Sequence, residues 1–301
     1  MMTDFPSWLQ EPFNQLTQSA LVQRGHAFLL LGPMGLGQQA LVASVAQTWL
    51  SSHMADHPDM LVVEALEGKR DIGVDQIREL STWAQQTSHG ALGRVVVIRQ
   101  LERLNAAAAN SLLKTLEEPP AGVRFLLTAS RSGKLLPTLL SRCQRLNLPI
   151  PSQQLAMQWL QTQVSSVSES DCQLALQLHM GAPLAAQNWL ISGGLTEWKE
   201  WQALWQVCHQ KRVCSLSLIE YARKDAQRFC RLLAAQAYVD GQDYDRVLPW
   251  QLLRLVWQVE NALGQNVNKD LLVDNLLQSV NQVLLGQLPN MKVSQRRGVL
   301  A

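Results

Sequence analysis

The stretch Ala27-Phe28-Leu29-Leu30-Leu31-Gly32-Pro33-Met34-Gly35-Leu36-Gly37-Gln38-Gln39 decides how the rest of the chain is read. The unbroken apolar run predicts a strand buried on both faces, and the glycines after it predict a tight loop. Leu41, Val42, Val45, Ala46, Trp49 and Leu50 then recur on one helical stripe. Strand, glycine loop and helix N-terminus in that order present a nest of backbone N–H groups, the arrangement that cradles polyphosphate. The side chains that complete such a site are missing. Gln38 stands where the phosphate-binding lysine is needed, and Gln39 where a hydroxyl would hold Mg²⁺. On these residues alone two readings stay open for Gly32, Gly35, Gly37, Gln38 and Gln39: an ordinary strand-to-helix turn, or a bare cradle able to hold a sulfate, a phosphate or a weakly bound nucleotide.

Outward from this loop, short apolar runs at Met60 to Val63, Val95 to Ile98, Phe125 to Leu127 and Arg145 to Leu148 predict further strands. Helical patterns lie between them. One runs from about Asn105, a candidate N-cap, to Glu118, where Pro119-Pro120 stops it. The class is α/β with crossover helices on a parallel sheet. After Pro149-Ile150-Pro151 the strand-like runs vanish and helix-period stripes rich in Leu, Gln, Ala and Trp take over. The expected organisation is an α/β domain over 1–149, a small helical domain over 150–193 ending at a Gly193-Gly194 linker, and an all-helical domain over 194–301. In the last of these, Trp198, Trp201 and Trp205 share one helical face and read as core rather than as a base-stacking platform, because no basic cluster frames them. Leu252, Leu255, Val256 and Val259, and then Leu271, Leu272, Leu276, Val280 and Leu284, read as amphipathic stripes.

Chemistry in the α/β domain is limited by charge. A phosphate-loop enzyme places carboxylates at the end of the strand ending at Ile98, but Arg99 and Gln100 stand there. Phosphoryl transfer depends on electrostatic stabilisation and positioning, so a chain without the lysine, the hydroxyl and the carboxylates is not expected to hydrolyse ATP by itself. The formal net charge of +2 excludes a non-specific coat for nucleic acid. The cysteines Cys143, Cys172, Cys208, Cys214 and Cys230 are odd in number and form no C-x-x-C pair, which points to reduced core thiols in the cytoplasm. Met1 to Pro12 carries no secretory apolar region, and no long apolar run suggests a membrane span. His53 and His57 are four residues apart, but Pro58-Asp59 favours a loop over a metal-binding helix. Lys292, Arg296 and Arg297 form a small basic tail with no assigned site.

Asn110-Ser111-Leu112-Leu113-Lys114-Thr115-Leu116-Glu117-Glu118-Pro119-Pro120, then Phe125-Leu126-Leu127-Thr128-Ala129, then Leu140-Ser141-Arg142-Cys143 closely resemble the motifs of the bacterial clamp-loader AAA+ family, in family order and spacing. His57-Pro58-Asp59 and Gly73-Val74-Asp75-Gln76-Ile77-Arg78 are similar to the same family's pattern. The motif-level match covers about residues 25 to 148. Within the family the gamma/tau branch keeps a complete phosphate loop, whereas the delta-prime branch is degenerate there and retains Ser-Arg-Cys, as this chain does. The resemblance implies a P-loop AAA+ domain, a helical lid and a helical collar. It implies a non-hydrolysing subunit of the DNA polymerase III clamp loader, joined with gamma/tau and delta subunits in a hetero-pentameric ring that loads a sliding clamp onto primed DNA during replication. It makes Arg142 an arginine finger for the ATP site of a neighbouring subunit. The four-cysteine zinc module of many family members is replaced by Ser51 to Asp56, so neither zinc nor another cofactor is expected, and Leu184 stands where active members carry an ATP-sensing arginine in the lid.

Without the family frame, Arg142 reads as a surface arginine before the last strand. Ser141 and Cys143 invite a nucleophile reading, but no histidine lies near them in sequence and packing is the better account. Two rival functions follow from the same residues: an autonomous gamma-like ATPase with an unconventional loop, and a stand-alone DNA-binding protein, which the weak net charge disfavours.

Overall fold

Five apolar segments assemble into one parallel sheet: β1 (Ala27–Leu31), β2 (Met60–Val63), β3 (Arg94–Ile98), β4 (Val123–Ala129) and β5 (Gln144–Asn147), in the order β2-β3-β4-β1-β5. β1 lies between β4 and β5 with Phe28 opposite both Leu126 and Gln144, and every pairing is parallel. The computed structural model of the chain describes residues 6–18, 25–52, 57–90, 93–130, 132–241, 247–263 and 268–287.

The sheet is covered on both faces, and the alternation of each strand sorts its side chains between them. Ala27, Leu29, Leu31, Val96, Ile98, Phe125 and Leu127 point to the face packed by α3 (Val74–Gln85) and α4 (Ala106–Glu117). Phe28, Leu30, Val95, Val97 and Leu126 point to the face packed by α1 (Gln10–Gln18) and α2 (Gln38–Leu50). Each fully buried leucine contributes about 1.5–3 kcal/mol of transfer free energy, which makes the central strands the anchor of everything attached to them. Asn105 caps α4 as its position predicts, accepting a hydrogen bond from Ala108 N at 2.8 Å.

A short helix α5 (Pro137–Arg142) leads into β5, so Arg142 is the last residue of a helix and Cys143 lies between that helix and the strand. Beyond Pro151 follow α6 (Gln153–Gln163), α7 (Glu169–Leu178) and α8 (Pro183–Ile191), then α9 (Gly194–Lys211), α10 (Leu216–Lys224), α11 (Ala226–Asp240), α12 (Val247–Leu263) and α13 (Lys269–Leu284). Gly193, at a φ of 83°, caps α9, which Gly194 opens.

The chain divides into two compact units, 1–188 and 189–301. In the second unit Trp198, Trp201 and Trp205 are buried, with Trp201 stacked on Trp205 and edge-on to Phe229. Trp201 Nε1 donates to the buried Gln236, whereas Trp205 Nε1 is buried without a hydrogen-bond partner, and the burial of all three rings keeps them from stacking on a base. Leu252, Leu255, Val256 and Val259 are buried as their stripe predicts. One residue of the next stripe is corrected. Leu271 is 57% exposed, whereas Leu272, Val273, Leu276, Leu277 and Val280 turn inward, because residue 271 falls one helical step off the buried face. All five cysteines are free and buried. Among the described residues no helix is long and apolar enough to cross a membrane. His53 and the basic tail of Lys292, Arg296 and Arg297 lie outside the described residues.

Candidate functional site

β1 runs parallel to both of its neighbours and Gly32 follows its last residue, so the glycine loop opens at the carboxyl edge of the sheet, where open α/β sheets bind ligands. Gly35 and Gly37 hold φ of 92° and 99°, a left-handed backbone that a side chain would strain. Three elements press on the loop. Trp8 Nε1 donates to Leu36 O at 2.9 Å, and a Cβ on Gly37 would stand 2.8 Å from Leu9 Cδ1. At the start of α8, Leu184 N donates to Gly35 O at 3.0 Å. A Cβ on Gly35 would lie 2.3 Å from Ala185 Cβ and 2.6 Å from Ala185 N.

The third constraint comes from Gln38, at the position where a lysine is needed. Its side chain is buried and turns back into the loop, where Nε2 donates to Gly32 O at 3.0 Å and to Pro33 O at 2.5 Å. An amide satisfies these carbonyls without bringing a net charge, so the loop is closed by a neutral group. Gln39, the next residue, is exposed. Beside the loop is a cavity of about 260 Å³ lined by Met34, Gln39, Glu64, Arg99, Gln100 and Asn188, among others. Arg99 Nη1 pairs with Glu64 Oε2 at 2.9 Å, and Gln100 N donates to Thr128 Oγ1 at 3.1 Å. The end of β3 thus carries a guanidinium and an amide, and the carboxylate of Glu64 is engaged with that guanidinium. Among the described residues no three His, Cys, Asp or Glu side chains group as a metal site. His57 Nδ1 accepts a hydrogen bond from Asp59 N at 3.1 Å.

Arg142 belongs to the opposite edge. It lies two residues before Gln144, which pairs with Phe28 at the start of β1, whereas the loop follows Leu31 at the end. Its Nη2 meets Glu117 Oε1 at 2.5 Å, and its Nη1 donates to Thr138 O at 3.1 Å and Ser141 Oγ at 3.2 Å. The side chain stays 34% exposed. Burial pushes the neighbouring Cys143 thiol up to about 11, so at neutral pH it is a packed thiol and not a nucleophile.

A second charged group on this amino edge was not legible as a site in the sequence. Asp59 precedes β2 and Arg94 opens β3; both are buried, with Arg94 Nε 3.5 Å from Asp59 Oδ1. His89 N and Gly90 N each donate to the Asp59 carboxylate at 2.9 Å. Burial pushes the Asp59 carboxyl up, but these amide donors and the His89 ring outweigh it and hold the group below its ordinary value. Arg94 also stacks on the Trp83 ring, 4.4 Å from its centroid. The carboxylate and the guanidinium tie the strand starts together and are themselves closed to a ligand, while the His89 ring remains exposed.

Comparison with known proteins adds a direct likeness. Residues 9–152 match the family described as DNA polymerase III, delta subunit, and residues 151–190 match the AAA+ ATPase lid domain of DNA polymerase III subunit delta'. The chain is similar to the DNA polymerase III subunit delta' of Haemophilus influenzae, 35% identical over 228 residues that cover 70% of this chain and 69% of that one. It is similar to the same subunit of Pseudomonas aeruginosa, 34% identical over 62% of each chain. The alignments thus span about two thirds of the relatives' lengths. Among solved structures, a gamma subunit-related protein of DNA polymerase III from Thermotoga maritima shares the fold with a TM-score of 0.55 and 18% identity, over 90% of this chain and 99% of that one.

Proposed function

The chain belongs to the delta-prime subunit family of DNA polymerase III, and on that premise we propose that it serves a clamp loader as a subunit without ATP hydrolysis of its own, offering Arg142 to the nucleotide held by a neighbour. The observation that carries this reading is the position of Arg142: a partly exposed guanidinium at the amino edge of the sheet, on the far side of β1 from its own glycine loop. A charge so placed does not serve the chain's own loop. Brought against the polyphosphate of an adjacent subunit, it would offset the negative charge that develops on the transferring phosphoryl group.

The state of the glycine loop supports the other half of the proposal. Gln38 supplies an amide where a cation is required, and Arg99 and Gln100 supply no carboxylate for Mg²⁺. Neither zinc nor another cofactor has a place in this reading. The partners would be gamma/tau and delta subunits in a hetero-pentameric ring, with the sliding clamp and primed DNA engaged by the assembly in the cytoplasm.

The test is Arg142→Ala in the reconstituted complex. Single-turnover hydrolysis at the site facing this chain should fall by about 10³-fold, the lower range for an arginine finger, while assembly is retained. A rate equal to that of the unaltered complex would remove the reading. The isolated chain should leave ATP intact over the same period.

A further inference from the structure

The ion pair between Arg142 and Glu117 has no part in the function proposed above, yet it occupies the group on which that function depends. Glu117 Oε1 holds Nη2 at 2.5 Å, and Thr138 O and Ser141 Oγ hold Nη1 at 3.1 and 3.2 Å. These contacts use both terminal nitrogens, which are the donors that a bidentate phosphate contact would need. Three of the five N–H donors are thereby engaged on this chain, so an incoming anion meets a guanidinium whose charge Glu117 already offsets.

We infer that Glu117 is a positioning residue that holds the Arg142 guanidinium on its own chain until the phosphate of a neighbouring subunit displaces it. The inference rests on the proposed role of Arg142. The placement of the two residues suits an exchange. Glu117 is the last residue of α4 and Arg142 the last of α5, so two separate helices set the geometry of the pair. Both side chains are partly exposed, at 34% and 48%. A pair exposed to this extent is weak and screened by salt, so a polyphosphate can take its arginine, whereas a fully buried pair would trap it. The carboxylate and the phosphate are rivals for one cation, and the rest position has a defined acceptor for each terminal nitrogen.

The experiment compares Glu117→Gln, Arg142→Ala and the double variant in the full reconstituted complex. ATP hydrolysis is measured with and without clamp and primed DNA, and thermal unfolding is measured alongside. Glu117→Gln should raise the unstimulated rate about two- to fivefold, the Boltzmann factor of an exposed ion pair, and should lower the ratio of stimulated to unstimulated rate accordingly. The gain should vanish in the Arg142→Ala background, and raising the salt should move the unaltered complex in the same direction as Glu117→Gln. A merely structural pair would lower the unfolding temperature and leave the ratio where it was. If Arg142→Ala slows hydrolysis but Glu117→Gln leaves the ratio unchanged, the restraining role is overturned while the finger stands. If Arg142→Ala leaves hydrolysis at its normal rate, the finger fails and this inference with it.

Discussion

The two edges of the parallel sheet have been treated oppositely. At the carboxyl edge the glycine loop carries no charged side chain: Gln38 donates to Gly32 and Pro33, and the start of α8 bonds to Gly35. At the amino edge charge is retained and arranged, with Asp59 and Arg94 buried as a pair and Arg142 bound to Glu117 near the surface. Backbone shape at one edge serves packing, since Leu9, Leu184 and Ala185 fill the space around the loop. Charge at the other edge serves two ends that burial tells apart. The sequestered pair lies between the strand starts, and the accessible one is the pair for which exchange is proposed.

That contrast can be broken in several ways. The largest effect expected is the loss of neighbouring-site hydrolysis in Arg142→Ala described above. Next comes Asp59→Asn, which leaves Arg94 buried without its countercharge. It should destabilise the first unit by about 3–5 kcal/mol in urea unfolding, and a loss below 1 kcal/mol would mean that the pair does not bear on stability. Smaller, at about 1–3 kcal/mol, is Gly35→Ala, which combines a positive φ with a Cβ driven into Ala185; a neutral result would show that α8 yields.

Acid should sharpen the contrast. The folded Asp59 carboxyl titrates below its unfolded value, so the unfolded chain takes up the proton first. The stabilisation from this group is therefore complete above about pH 4 and is lost as pH falls through the lowered folded value. Asp59→Asn should flatten that part of the stability profile. The smallest effect belongs to Arg99→Ala at the carboxyl edge. Its pair with Glu64 is exposed, so the change should cost under about 1 kcal/mol and leave hydrolysis by the complex untouched.

Much of this molecule is visible in local pattern. The run Ala27 to Leu31, the loop after it and the Leu41 to Leu50 stripe fold as a strand, a turn and a helix within the stated bounds. Asn105 caps α4 because a short polar side chain there meets the free N–H groups of the first turn. Trp198, Trp201 and Trp205 recur at helical spacing and are buried together. Leu271 shows the limit of such reasoning. It carries the same side chain as Leu272, yet a single helical step sends one outward and the other into the core. The inward turn of Gln38 also escaped the sequence, since a single polar residue at the start of a helix has no periodicity to betray its direction.

By itself, then, the sequence determined which segments are strands and helices, where the phosphate-binding charges are missing, and which motifs tie the chain to its family, because each of these depends on residues close together along the chain. Only the tertiary structure decided that Asp59 meets Arg94, that Leu184 closes on Gly35, and that Glu117 holds Arg142. Those partners are far apart in sequence. Strand order and direction bring Asp59 to Arg94 and Glu117 to Arg142, the packing of α8 brings Leu184 to Gly35, and electrostatic and packing energies act over ångströms in space whatever the separation along the chain.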